Sequence, residues 1–153
     1  MADVVDRSTR SRMMRSIKGR DTRPEIMLRK YLHACGYRFR LHRKDLPGSP
    51  DLVLPRHDLA IFVHGCFWHR HAGCFYTTMP GSRVAFWQAK FEANIHRDQK
   101  AYKNLQQMGW RILVVWECGF KHNHDRVSEI ADLIQTQGQY QEWPPQPPRS
   151  RSG

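Results

Sequence analysis

The sequence predicts a single α/β domain with a mixed β-sheet flanked by helices. Three observations carry this. Two apolar runs, residues 60–63 and 111–116, have the β-branched and aromatic make-up of buried strands. Between them, residues 82–108 repeat apolar positions at three- and four-residue steps, as a long helix does. The length, 153 residues, suits one domain with a core of its own.

Taken in order, residues 1–12 are polar and basic, with arginines at 7, 10 and 12. Met13, Met14 and Ile17 follow as the apolar members of an arm or short helix. They either pack on the domain or enter a nucleic-acid groove. Thr22-Arg23-Pro24-Glu25 is a capping box with proline in the first turn. A helix follows, with Ile26, Leu28, Tyr31 and Leu32 as apolar positions and Gly36 as its stop. On these grounds alone Glu25 is the capping carboxylate.

Tyr37, Phe39 and Leu41 alternate with Arg38, Arg40 and His42, the pattern of a half-buried strand. Leu46-Pro47-Gly48-Ser49-Pro50 is a turn, and Asp51 opens a second strand through Leu52, Val53 and Leu54. Residues 55–58 turn the chain into a third strand at 60–64. This meander brings Asp51 near the end of the third strand. Beyond Pro80 and Gly81, Ser82 stands where it can cap the long helix. That helix puts Lys90, Asn94 and Asp98 on one face. Gly109 ends it, the strand 111–116 follows, and residues 127–134 form a last helix. From Gly138 the chain is rich in Gln, Pro, Arg and Ser, the composition of a disordered tail.

Lys and Arg number 25 against 14 Asp and Glu, a net charge of +11. A surplus this large points to a polyanionic partner, nucleic acid first. A merely solubilising or ribosome-facing surface is the plainer alternative. No lysine-rich amphipathic helix argues for a membrane surface, and no apolar run reaches the ~18 residues of a membrane span. The first residues lack a signal-peptide core, so a cytoplasmic location is expected, where disulfides are rare. Four cysteines among clustered histidines then read as metal ligands.

The chemistry concentrates in residues 60–74. Cys66, His71 and Cys74, joined by Cys118 from a distant strand end, make a tetrahedral set of the kind that takes structural Zn²⁺. Unrelated buried cysteines are the alternative, and Cys35 is expected in the core. His64 and His69 remain; a histidine near Asp51 can take a proton from water attacking phosphorus. Asp51, with the Val63 carbonyl, offers oxygen to Mg²⁺. Such an ion lowers the pKa of bound water and neutralises charge on the departing oxygen. Asp98 reaches the same place from the helix, unless it pairs with Arg97 or Lys100. Phe67, Trp68 and Trp87 stand beside this site, where rings can wedge between bases. For Trp87, core packing is the rival.

Five segments, DTRPE, LPGSPDLVLP, IFVHGCFWHRHAGC, FWQAKFEANIHRD and GWRILVVWEC, together resemble the very short patch repair (Vsr) endonucleases. The resemblance runs over about residues 8–118. It implies a restriction-endonuclease-like, PD-(D/E)XK fold with a structural zinc site. It implies Mg²⁺-dependent nicking of double-stranded DNA on the 5′ side of the thymine in a T:G mismatch, the product of 5-methylcytosine deamination. It implies Asp51 and the main chain of Val63 as Mg²⁺ contacts and His69 as the catalytic histidine. His64 and Asp98 fall on its supporting residues, and Glu25 on the acidic residue of its first helix. Cys66, His71, Cys74 and Cys118 fall on its zinc ligands. Phe67, Trp68 and Trp87 match its intercalating rings, while Met14 and Ile17 match an arm that approaches from the minor groove. Lys90 and Asn94 join them as expected DNA contacts. Residues 1–20 are then a DNA-contacting arm, 21–137 the endonuclease domain and 138–153 the tail. A monomer is expected, with mismatch-repair proteins as family-level partners. Two departures stand out. Val63, His64 and Gly65 occupy the place of the general motif's acid and lysine, and Ala85 stands where an acid is common.

Overall fold

In the computed structural model, which describes residues 21–150, five strands form one sheet in chain order. They are β1 (Arg40–Leu41), β2 (Leu52–Leu54), β3 (Leu59–His64), β4 (Arg111–Trp116) and β5 (Tyr140–Trp143). β2 runs antiparallel to both its neighbours, β1 and β3, whereas β3, β4 and β5 are parallel. The sheet is therefore mixed, as the sequence predicts.

The helices are α1 (Arg23–Ala34), α2 (Cys66–His69), α3 (Val84–Gln107), α4 (Glu117–His122) and α5 (Glu129–Gln135). A parallel β3–β4 pair needs a crossover, and α3 lies within it. The register sets Val63 opposite Val115 and His64 opposite Trp116. Side chains alternate between the two faces of the sheet. Ile61, Leu113 and Val115 meet Leu28, Leu32, Ile130 and Ile134 on one face. Ala60, Phe62, Val114 and Trp116 meet Tyr102, Leu105 and the three buried cysteines on the other. The loop that carries Cys66 and Cys74 and the helix α3 thus share a face. Arg111 is buried at the start of β4, and its guanidinium donates to the carbonyls of His57, Leu133, Ile134 and Gly138.

Several expectations are corrected. The disordered tail expected from residue 138 instead contains β5, hydrogen-bonded in parallel to β4. Its anchor is Trp143, which is fully buried, lies edge-on to Phe120 at 5.2 Å and donates to Glu129 Oε1. Gly119 is required beneath that indole: a Cβ there would stand 2.4 Å from the ring. Trp143→Ala is expected to cost about 3–5 kcal/mol, seen as a melting point about 10 °C lower. Ser82 is not the cap of α3. The helix starts at Val84 behind Arg83, which has left-handed φ and no capping side chain. Tyr37 and Phe39 pack on the core from a loop, and only Arg40 and Leu41, both exposed, pair with β2. Cys35 is exposed at the end of α1, not in the core. Residues 1–20, with Met14 and Ile17, lie outside the described residues. No helix among the described residues is long and apolar enough to cross a membrane.

Candidate active site and metal centre

β3 runs on beyond the last residue that β2 pairs with it, Leu52 opposite Ile61. The free edge is closed by Asp51, whose Oδ2 accepts the Val63 N–H at 2.7 Å. Burial pushes the Asp51 carboxyl up to about 7, with Glu25 adding to the rise and the Val63 bond opposing it. Glu25 faces it from α1. The capping box holds Glu25 Oε2, which accepts the Thr22 N–H at 3.1 Å and the Thr22 hydroxyl at 2.9 Å. Glu25 Oε1 is buried with no hydrogen bond, and the side chain is 2% exposed. The Arg29 guanidinium approaches that oxygen only to 3.6 Å. Capping thus occupies one oxygen of Glu25 and leaves the other for the cleft.

His42 completes this acidic end. One ligand atom each from Glu25, His42 and Asp51 lies within 4.8 Å of the others. The His42 N–H donates to the Asp51 carbonyl at 3.1 Å, with the residue in left-handed φ. Sequence reading passed over His42, whose only signal was its place in the alternating strand pattern.

The imidazoles sit across the same cleft. His69 Nδ1 lies 2.7 Å from Asp98 Oδ2, which fixes the ring's proton on Nδ1 and leaves Nε2 as the acceptor. His64 stacks on His69 with ring centroids 3.6 Å apart and planes 8° from parallel. His64 is buried, which holds it well below the usual histidine range, so it is neutral. Asp51, Glu25, Val63, His64, His69 and Asp98 all line one cleft of about 680 Å³. All six polar positions named for the reaction therefore come together. The donor set of two carboxylates and main-chain oxygen suits a hard divalent cation, and the bond-free Glu25 oxygen fits one.

Behind the cleft lies the thiol cluster. Cys66, His71, Cys74 and Cys118 are all buried, with their ligand atoms within 4.8 Å of one another. His71 Nδ1 is 3.7 Å from Cys66 Sγ and 3.4 Å from Cys118 Sγ. A tetrahedral zinc site has N···S edges of about 3.6 Å. Burial lowers His71 to about 4, so the ring is in the neutral form that a metal requires. Contact with Cys118, then burial, pushes the Cys66 thiol up. Ionising such thiols requires a cation among them. Trp116 stacks on His71 at 4.1 Å, and the Cys66 N–H donates to Glu117 Oε1, tying loop to strand end.

The aromatic residues cluster at the cleft rim. Phe67 lies 5.1 Å from Trp68, 6.0 Å from Trp87 and 5.1 Å from the buried Phe91. Trp68 reaches the cleft lining. Phe86 is 47% exposed beside Trp87, with the Arg83 guanidinium over its ring. Lys90 is exposed on α3. Asn94 donates its amide to the Trp68 carbonyl at 3.1 Å, so it fastens α2 to α3.

Paired carboxylates facing an imidazole–carboxylate pair, in a chain of net charge +11, are an arrangement suited to phosphodiester cleavage. Residues 2–75 match the family model described as DNA mismatch endonuclease Vsr. The chain is 50% identical over 118 residues to the Type II nicking enzyme V.XorIIP of Xanthomonas oryzae, covering 77% of this chain and 86% of that one. It is 45% identical over 121 residues to the DNA mismatch endonuclease Vsr of Escherichia coli, covering 79% and 77%. With the Type II nicking enzyme V.NmeAIP of Neisseria meningitidis, identity is 38% over 141 residues, 88% of this chain and all of the other. The chain belongs to the Vsr family of DNA mismatch endonucleases.

Proposed function

We propose that this DNA mismatch endonuclease nicks one strand of duplex DNA on the 5′ side of the thymine in a T:G mismatch, using Mg²⁺. The observation that carries the reading is Glu25 Oε1, buried and unbonded, in one cleft with Asp51 and the His69–Asp98 pair. Asp51, Glu25 and the Val63 carbonyl would hold the ion. In an extended strand the N–H and C=O of one residue leave on the same edge, so Val63's carbonyl shares the edge that Asp51 closes. Bound there, Mg²⁺ would offset phosphate charge and lower the pKa of water.

The chain's own groups do the rest. His69 Nε2 takes the proton of the attacking water, because Asp98 holds Nδ1–H and stabilises the resulting imidazolium. His64 stays neutral and supports the ring from its face. Zn²⁺ on Cys66, His71, Cys74 and Cys118 would fix α2, which carries Trp68 and His69. Phe67, Trp68 and Trp87 open the base stack at the mismatch, and Lys90 with the arm of residues 1–20 adds phosphate and minor-groove contacts. The relatives support mismatch direction and nicking: the Escherichia coli protein is a DNA mismatch endonuclease, and the others are nicking enzymes. We read the fold as restriction-endonuclease-like, with Asp51 at the turn into β2 as the motif's acid.

Incubation with Mg²⁺ and a T:G duplex is expected to give one nicked strand, and none from matched duplex. Equal cutting of both would reject mismatch direction. His69→Ala is expected to slow nicking about 10²–10³-fold, and undiminished single-turnover nicking would remove His69 from its role.

A further inference from the structure

We infer that Tyr102 is a positioning residue for nicking: its hydroxyl donates to Nε2 of His64 and so keeps Asp98 for His69 alone. The inference rests on the reading of His69 as proton acceptor. Tyr102 lies on α3 four residues after Asp98, turned inward and 6% exposed. Its Oη is 2.6 Å from His64 Nε2, a buried contact.

Which group donates follows from satisfaction. His64 is the partner the structure gives the Tyr102 hydroxyl. A hydroxyl that accepted from Nε2–H would leave its own hydrogen unpaired in the core, at about 1–3 kcal/mol. Donation uses that hydrogen. His64 then carries its ring proton on Nδ1 and presents Nε2 as an acceptor.

The consequence falls on Asp98. His64 Nε2 lies 3.9 Å from Asp98 Oδ2, beyond hydrogen-bond length. That same oxygen is the one that His69 Nδ1 meets at 2.7 Å. A His64 protonated on Nε2 would compete for it, and small rotations of α3 side chains would suffice to bring the two together. The Tyr102 hydroxyl occupies Nε2 and removes the competitor. Because the rings are stacked at 3.6 Å, the plane of His64 also sets the plane of His69.

Tyr102→Phe isolates the hydroxyl, since the ring keeps its packing on Phe62 at 5.2 Å and Tyr140 at 5.6 Å. Imidazole ¹⁵N spectra of the DNA-free wild-type protein are expected to show His64 protonated on Nδ1. In Tyr102→Phe the Nε2–H tautomer is expected to appear. Turnover of a T:G duplex is expected to fall about 10-fold, short of the ~10² that a 1 Å misplacement costs, with KM unchanged. An Nε2–H tautomer in the wild type would overturn the inference, as would wild-type turnover or an unaltered His64 spectrum in Tyr102→Phe. The tautomer is read without DNA. It therefore stands or falls apart from the role of His69, which His69→Ala tests.

Discussion

Asp51→Asn is expected to reduce nicking by about 10³-fold or more and yet to raise the melting temperature at pH 8. The two effects have one cause. Asp51 is a carboxylate in a buried cleft beside a second carboxylate, so its pKa is raised from 3.8 to about 7. A folded pKa above the unfolded one means that the folded state holds the proton more tightly. The contribution to stability is then fully present below about pH 3.8 and is lost as pH rises towards about 7. Above that window the ionised group costs on the order of 2–4 kcal/mol, at ~1.4 kcal/mol per pKa unit. Asparagine removes the charge and keeps an oxygen to accept the Val63 N–H. In buffer without added divalent cation, the variant should melt about 5 °C or more above wild type at pH 8. The gap should close near pH 4. Added Mg²⁺ should then raise the wild type alone, by mass action on the folded state. If Asp51 holds the ion as proposed, the loss of nicking would follow from losing several kcal/mol of metal-borne stabilisation. A wild type that melts above Asp51→Asn at pH 8 would mean that the carboxylate is not held at a cost, and that the acidic pair is not poised to take a cation.

What could be read in the sequence and what could not divide along a physical line. β3 and β4 were legible because burial on both faces leaves continuous apolar runs. The capping box at Thr22 was legible because capping is local chemistry. The thiol cluster was legible because few residue types make a soft metal site. β5 was not. Its composition reads as a tail, and its order comes from pairing with β4 and from an indole seated on Gly119. Nothing within the segment itself encodes that. Asn94 was placed on the correct face of α3, but its partner is a main-chain carbonyl 26 residues away. Glu25 shows how both kinds of reading can hold for one side chain. Its Oε2 serves the cap, as local chemistry requires, and its Oε1 is left without a hydrogen bond at the cleft. His42 and Tyr102 carry no motif, and each is brought to the cleft residues only by a tertiary contact, with Asp51 or His64.

Cys118→Ser should have the larger effect on the fold. Cys66, His71 and Cys74 lie in one loop, whereas Cys118 is the second residue of α4, just past the end of β4. As a zinc ligand it would tie the loop to the sheet. Metal binding to a structural set of this type is worth about 10–16 kcal/mol in small zinc domains, comparable to the ~5–15 kcal/mol that holds a domain folded. The variant is therefore expected to purify without the single equivalent of zinc that wild type should carry. It should melt at least about 15 °C lower or lose a cooperative transition. Cys35→Ser, at the exposed cysteine, should leave zinc content and melting unchanged. Thiol reagents should likewise reach Cys35 alone until a chelator is added. Nicking should fail with the metal, because α2 begins at Cys66 and ends at His69, two residues before His71, the next member of the thiol cluster. A loop freed at Cys118 would no longer hold the His69 ring 2.7 Å from Asp98, and His69, the proposed proton acceptor, would lose both its tautomer and its aim. Full zinc content in Cys118→Ser, or wild-type melting without zinc, would reduce the cluster to ordinary buried thiols.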